Sequence, residues 1–357
     1  MPISLVKKEL IAREVINTLV SRFDNFPDES SINRNAPFHD AFLKAFADKL
    51  QYKVSDTNFM ISLNSWLHGL NTTIGQNFFE NVAHHLCDGE KREYTSGRLG
   101  IQEIPLRLKN KIDEIHTSFG ENTNKPNLLE ENSAIKHILD NLNNNDKIVH
   151  STDFSTDVYF ETEENIIAIE LKSVKPNSGQ MKLEKLKILE GKSALMYKNP
   201  NKNVCFYIGF PFDPTVDISA ENPCSYNKTR LMDSVISLNK YFAPEEVLIA
   251  SELWNLLSGS NGTMEEILEI INTIATPQFM DKFTYLLENR NRNKARYREI
   301  LDEWYLKSEI ELLDRDEEIN QAISGNTTLN RVYNKTPFNN KGIYNSDRYY
   351  KLINLIK

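Results

Sequence analysis

Cysteine is scarce. The 357 residues hold three, Cys87, Cys205 and Cys224, scattered without the paired spacing of a zinc site or of a disulfide framework. That usage points to a reducing compartment. Long apolar runs are missing too: nothing approaches the roughly 20 residues that span a bilayer. The opening Met1-Pro2-Ile3-Ser4-Leu5-Val6-Lys7-Lys8 has no apolar stretch of the secretory kind. The expectation is a cytoplasmic protein with no membrane partner. Neither GxxxxGK(S/T) nor GxGxxG occurs, so no nucleotide cofactor is expected, and no Ser or Cys carries a readable nucleophile signature. There is no internal repeat and no Gly/Ser linker. A basic surplus is also absent, since 42 Lys and Arg stand against 50 Asp and Glu, a formal charge of −8. Taken whole, that charge does not favour a polyanionic partner, but a binding face is local and net charge decides little.

The chain is 40% hydrophobic and 26% charged, enough to bury a substantial core in one large or two modest domains. The cations are unevenly placed. Residues 172–202 hold eight lysines against Glu184 and Glu190, and 290–298 (Arg-Asn-Arg-Asn-Lys-Ala-Arg-Tyr-Arg) hold five basic groups and no acid. The tail 331–357 holds six basic groups against Asp347. Each patch reads equally well as a solvated face or as a phosphate-binding face. In the 290–298 run, helical geometry would spread the arginines over several faces.

Periodicity divides the chain into helices, strands, one helix, one strand and more helices. Residues 4–24 form an amphipathic helical pattern, 39–51 resume one, and 65–75 read as a turn-rich approach to a helix over 74–87. A loop is expected at 88–100, with helices at 103–119 and 128–142. Segments 147–151 and 154–160 look extended, and 165–174 (Asn-Ile-Ile-Ala-Ile-Glu-Leu-Lys-Ser-Val) is a clear strand. A Lys- and Leu-rich helix over 181–197 follows. Residues 203–210 (Asn-Val-Cys-Phe-Tyr-Ile-Gly-Phe) are an apolar run suited to a buried strand, stopped by Pro211 and Pro214. Beyond 225 the pattern is mainly helical to about 323, and the Asn- and Tyr-rich end has no assignment. The class expected is mixed α/β: a central mixed sheet flanked by helices, with helical N- and C-terminal elaborations. The divisions expected are a helical region 1–60, a core 61–225 and a mainly helical region 226–357.

The chemistry sits at the first hairpin. Side chains two apart in a strand share a face, so Glu170 and Lys172 point the same way. If 154–160 and 165–174 pair across the polar turn 161–165, Asp157 approaches Glu170. Two carboxylates and an ammonium in one small volume suit phosphodiester hydrolysis. Hard oxygen ligands hold Mg²⁺, which polarises phosphorus and acidifies a bound water, while the ammonium orients that water and offsets developing charge. Glu-x-Lys alone is a weak signal, and Glu190-Gly191-Lys192 is another example, expected at a helix end where the i, i+2 geometry is wrong. Context separates the two: twelve residues lie between Asp157 and Glu170, and a helix and a buried strand follow Lys172. The adjacent His84 and His85 diverge on a helix and cannot form an i, i+4 zinc pair, which leaves them to packing or solvent.

Asp157…Glu170-Leu171-Lys172 followed by helix and strand resembles the PD-(D/E)XK nuclease core, with Thr156 where the motif has Pro. The stretch Leu70-Asn71-Thr72-Thr73-Ile74-Gly75-Gln76-Asn77-Phe78-Phe79-Glu80 resembles the helix that type II restriction endonucleases carry upstream of that core. Together with 170–177 and Gly209-Phe210-Pro211-Phe212-Asp213-Pro214, it is similar to the TdeIII-like group. The likeness covers about 60–215. It implies a restriction-endonuclease-like fold, Asp157, Glu170 and Lys172 as catalytic residues, and Asp157, Glu170 and Glu80 around Mg²⁺. Glu130 and Glu131 are weaker choices for the helix carboxylate. Lys175, Asn177, Gln180 and Lys182 are implied as DNA contacts, the lysines on phosphates and the amides on base edges. A homodimer cutting double-stranded DNA at a short site, leaving 5′-phosphates in a bacterial or archaeal host, is the activity implied. A structure-selective repair or recombination nuclease of the same fold, or a non-catalytic DNA-binding protein, are the rivals.

Overall fold

The computed structural model describes residues 2–23, 26, 57–172, 178–217 and 219–357. The helix expected over 39–51 lies outside them, as do Lys175 and Asn177. The chain divides into two compact units, Met1–Ile3 with Phe79–Glu266, and Ser4–Phe78 with Ile267–Lys357. In chain order the elements that matter begin with α1 (Leu5–Phe23), α2 (Thr57–Thr73) and α3 (Phe79–Cys87). Strands β1 (Glu90–Tyr94) and β2 (Glu103–Pro105) precede α4 (Leu106–Gly120) and α5 (Leu128–Asp140). Then come β3 (Ile148–His150), β4 (Phe154–Glu161), β5 (Asn165–Leu171), α6 (Ser178–Lys198), β6 (Asn203–Phe210) and β7 (Val247–Ile249).

The first unit is mixed α/β, as its periodicity implies. A five-stranded sheet runs β1-β4-β5-β6-β7. Pairs β1/β4 and β4/β5 are antiparallel, and β5/β6 and β6/β7 are parallel. The polar turn at 162–164 closes β4 and β5 as a hairpin, whereas the parallel step from β5 to β6 needs a crossover, supplied by α6. The central strands are apolar because both faces are covered: Ile166, Ala168, Ile169 and Leu171 of β5 and Val204, Phe206, Ile208 and Phe210 of β6 are buried. Helix α6 closes tightly on β4 through Gly191, where a Cβ would stand 2.7 Å from the Phe154 ring. Glu190 and Lys192 are therefore mid-helix residues, buried and used structurally. Glu190 accepts from the Thr152 N–H and Lys192 donates to Asn132. The sheet and its helical cover are consistent with a restriction-endonuclease-like core.

Three local expectations need correction. Residues 88–100 are not all loop: Glu90–Tyr94 form the edge strand β1. Glu-Lys-Arg-Glu-Tyr has no apolar alternation, and charge is what a sheet edge carries to deter further pairing. Residues 65–73 are not turn-rich but helical, the end of α2, and Ile74–Phe78 form a π-helical turn. The mainly helical region after 225 contains the short buried strand β7.

The second unit is helical. In α1, Ile11, Ala12, Val15, Ile16 and Val20 are buried. Its aromatic core stacks Phe279 on Phe283 and Trp304, with ring centroids 5.9 and 5.4 Å apart. The unassigned tail folds as helices Thr327–Tyr333 and Ser346–Ile353, held by the buried Arg348–Glu309 pair at 2.7 Å and the Tyr344 hydroxyl on the same carboxylate. The basic run 290–298 is largely paired with acids: Arg290 with Glu288, Arg292 with Asp316 and Arg298 with Asp314. No helix among the described residues is long and apolar enough to cross a membrane.

Candidate active site

The hairpin register brings the expected residues together. Val158 pairs with Ile169 and Tyr159 with Ala168, so one step further sets Asp157 opposite Glu170. The Leu171 N–H donates to Asp157 Oδ2 at 2.9 Å, which fixes that carboxylate across the end of β5. The Lys172 N–H donates to Gly209 O at 2.8 Å. The parallel ladder thus continues through Lys172, and Glu170 and Lys172 keep the i, i+2 relation of a strand. Their side chains meet, Lys172 Nζ lying 2.7 Å from Glu170 Oε1.

Two helices complete the surroundings. From α6, Glu184 comes within 3.1 Å of Lys172 Nζ. From α3, Glu80 meets Lys91 of β1, whose Nζ is 3.0 Å from Glu80 Oε2 and 3.1 Å from Asp157 Oδ1. His84, one turn beyond Glu80, holds the main chain: its Nε2 is 2.7 Å from the Asp157 carbonyl oxygen. Burial lowers the ring's pKa, so the neutral imidazole donates here, a packing role.

Electrostatics sharpen the picture. Burial first, and then the Asp157 charge, push Glu170 up to about 7 against the pull of Lys172. Glu80 is raised for the same two reasons, partly offset by Lys91. Burial works to lower Lys172, but Glu170 and Glu184 outweigh it and its pKa rises. The ammonium is firmly protonated, and the carboxylates still repel one another.

That residual negative charge is the test of fit for a divalent cation. Clustered carboxylate oxygens whose charge is incompletely neutralised are what a hard ion such as Mg²⁺ takes. Asp157 and Glu170 fit that description. Glu80 joins them through Lys91 rather than directly, and among the described residues no three His, Cys, Asp or Glu side chains form a ready metal cluster. Glu131 is engaged elsewhere, 2.7 Å from the fully buried Lys185, and Glu130 hydrogen-bonds the Asn127 side chain beside the start of α5.

Comparison with known proteins now bears on this geometry. The family described as "Type II restriction endonuclease, HinfI" matches residues 6–275. The chain belongs to the HinfI family of type II restriction endonucleases. It is also 41% identical to the type II restriction enzyme MjaII of Methanocaldococcus jannaschii over 374 aligned positions, 99% of this chain and 98% of that protein. The HinfI match spans every residue of the site just described, from Glu80 to Glu184. It makes this chain a type II restriction enzyme, hence a nuclease of a restriction–modification system that acts on DNA.

Of the remaining expected site residues, Gln180 and Lys182 are exposed near the start of α6. Sequence reasoning missed Glu184 and the pairing role of Lys91. Lys91 lies in the segment expected to be loop, where no strand pattern places it. In α6, Glu184 and Lys185 are buried along with Met181, Ile188 and Leu189, and charges at apolar helix positions are the signal that could have marked them.

Proposed function

We propose that this HinfI-family enzyme hydrolyses double-stranded DNA at a short specific site through a PD-(D/E)XK centre that uses Mg²⁺ and leaves 5′-phosphate ends. Asp157 and Glu170 hold the cation, Lys172 is the catalytic ammonium, and Glu80 is an accessory carboxylate. What supports the reading most directly is the register that sets Asp157 opposite Glu170, with Lys172 Nζ 2.7 Å from the same Glu170 carboxylate. When bound, the divalent ion supplies Lewis-acid polarisation of the scissile phosphate and a water of lowered pKa.

The protein's own residues do the rest. The Leu171 N–H holds the Asp157 carboxylate in place, and His84 holds its carbonyl. Lys172, gripped by Glu170 and Glu184, presents a fixed positive charge where negative charge grows on phosphate, which requires no reorganisation during reaction. Lys175, Asn177, Gln180 and Lys182 follow the catalytic lysine directly and serve as DNA contacts. A single centre of this kind cuts one strand, so a twofold homodimer is the simplest way to cut both strands of a symmetric site. The sheet-bearing core carries the chemistry, and the regions 1–60 and 226–357 are available for dimerisation and sequence reading. The likeness of 70–83, 170–177 and 209–214 to the TdeIII-like group stays a resemblance of short motifs; the HinfI match carries the family.

Digestion of a sequenced phage genome with and without Mg²⁺ tests the proposal. Discrete fragments with 5′-phosphate ends, lost on chelation, are expected. Cleavage that persists in chelator would refute the metal assignment.

A further inference from the structure

We propose that Lys91 is a built-in counterion of the active site, an ammonium that competes with the divalent cation for Glu80 and Asp157 and leaves them when the cation binds. The proposal rests on the reading of Asp157 and Glu170 as cation-holding residues.

Three observations carry it. The first is position. Lys91 Nζ reaches both Glu80 oxygens, at 3.0 and 3.2 Å, and Asp157 Oδ1 at 3.1 Å. It thus links the two carboxylates that the metal reading assigns to one ion. Among the described residues Lys91 is the cation ion-paired with Asp157, because Lys172 is taken up by Glu170 and Glu184.

The second is backbone design. Glu90 pairs with Tyr159 and Arg92 with Thr156, so the register slips by one and Asp157 and Val158 together face Lys91. Bulges of this sort re-aim side chains and gather next to active sites. Here the bulge falls on the Asp157–Lys91 pair itself.

The third is exposure. The Lys91 side chain is 39% exposed, whereas those of Glu80 and Asp157 are 13% and 12% exposed. The ammonium can swing into water at small cost while the carboxylates stay put. An ammonium and a divalent ion on the same oxygens repel each other, so occupancy by one excludes the other. The chain therefore keeps its acidic site assembled before metal arrives and gives up that contact when it does.

Mn²⁺ titration of the DNA-free full-length protein, followed by electron paramagnetic resonance, decides the matter. Lys91→Met should bind Mn²⁺ on the order of tenfold tighter than wild type, since a charged hydrogen-bonded competitor has gone. In chelator the same variant should melt below wild type, and Mn²⁺ should raise its melting temperature by more. Lys91→Gln, which keeps the size and a hydrogen bond, should show the same tightening and decides the question if the Met variant does not fold. Unchanged or weaker Mn²⁺ affinity in the folded variants overturns the counterion role. If wild type binds no Mn²⁺, or Asp157→Asn binds it as wild type does, the cation reading itself fails and takes the proposal with it.

Discussion

The Leu171 amide donates to Asp157 Oδ2 across the β4–β5 hairpin at 2.9 Å, so one bond both closes the end of the sheet and aims the carboxylate. Asn and Ala substitutions at Asp157 should therefore differ in stability and agree in activity. Asn keeps an acceptor for the amide, whereas Ala leaves a buried N–H unsatisfied, at a cost of about 1–3 kcal/mol. Denaturant melts should place Asp157→Asn close to wild type and Asp157→Ala below it. Both should lose cleavage by roughly 10³-fold or more, as removal of several kcal/mol of transition-state stabilisation implies.

Glu170 gives the site a pH signature. Its carboxyl is pushed up to about 7 by burial and by Asp157, against 4.5 for an ordinary glutamate. The folded, cation-free protein therefore binds this proton more tightly than the unfolded chain. The resulting stabilisation is complete below the unfolded value and is lost as pH rises through the folded one. Melting temperature in chelator should fall over that interval, and Glu170→Gln should flatten the fall. Because a cation needs the carboxylate, its binding should release a proton and tighten as pH rises toward 7. Calorimetry near pH 6.5 in two buffers of different ionisation enthalpy measures the release, and identical heats would contradict the assignment.

Glu184 lies 3.1 Å from Lys172, so on the proposed mechanism it acts on the reaction through that ammonium. Its charge helps hold the Lys172 pKa up. In Glu184→Gln the alkaline limb of the cleavage rate should move to lower pH, with kcat reduced and DNA affinity little changed. Glu246→Gln, a change in a buried network on Lys185, is the control. A purely structural Glu184 would lower stability and leave the alkaline limb in place.

Lys185 illustrates a different use of buried charge. It is fully buried, with Glu131 and Glu246 each 2.7 Å from its Nζ. Lys185→Met should destabilise the protein by roughly 3–5 kcal/mol because two carboxylates lose their partner. Adding Glu131→Gln and Glu246→Gln should recover much of that. Urea unfolding of the single and triple variants measures both, and a neutral single variant would contradict the account.

Much of the hairpin that brings Asp157, Glu170 and Lys172 together could be read from the sequence, because its strands are short apolar runs closed by a polar turn and followed by a helix and a buried strand. Asp157, Glu170 and Lys172 were legible for that reason. What was not legible depends on pairing across long separations. The edge strand β1 has a charged sequence with no strand periodicity, so Lys91 could not be placed beside Asp157, 66 residues away. Glu184 belongs to a helix whose buried faces surround it, so amphipathic periodicity gave no orientation for it. The helix α2 was obscured by the Gly, Asn and Thr residues of 69–73, which local propensity assigns to turns; here the Thr72 and Thr73 hydroxyls bond back to the carbonyls of His68 and Gly69 within the helix. In 290–298 the arginines looked free because their acidic partners, Asp314 and Asp316, lie beyond the run itself.

The most direct test of the central claim is the single-turnover cleavage rate of duplex DNA by Lys172→Ala in Mg²⁺, measured beside its DNA affinity. The account expects cleavage to fall by roughly 10³-fold, the scale of a lost transition-state charge contact, with binding and fold retained. Wild-type cleavage by the folded variant would contradict it.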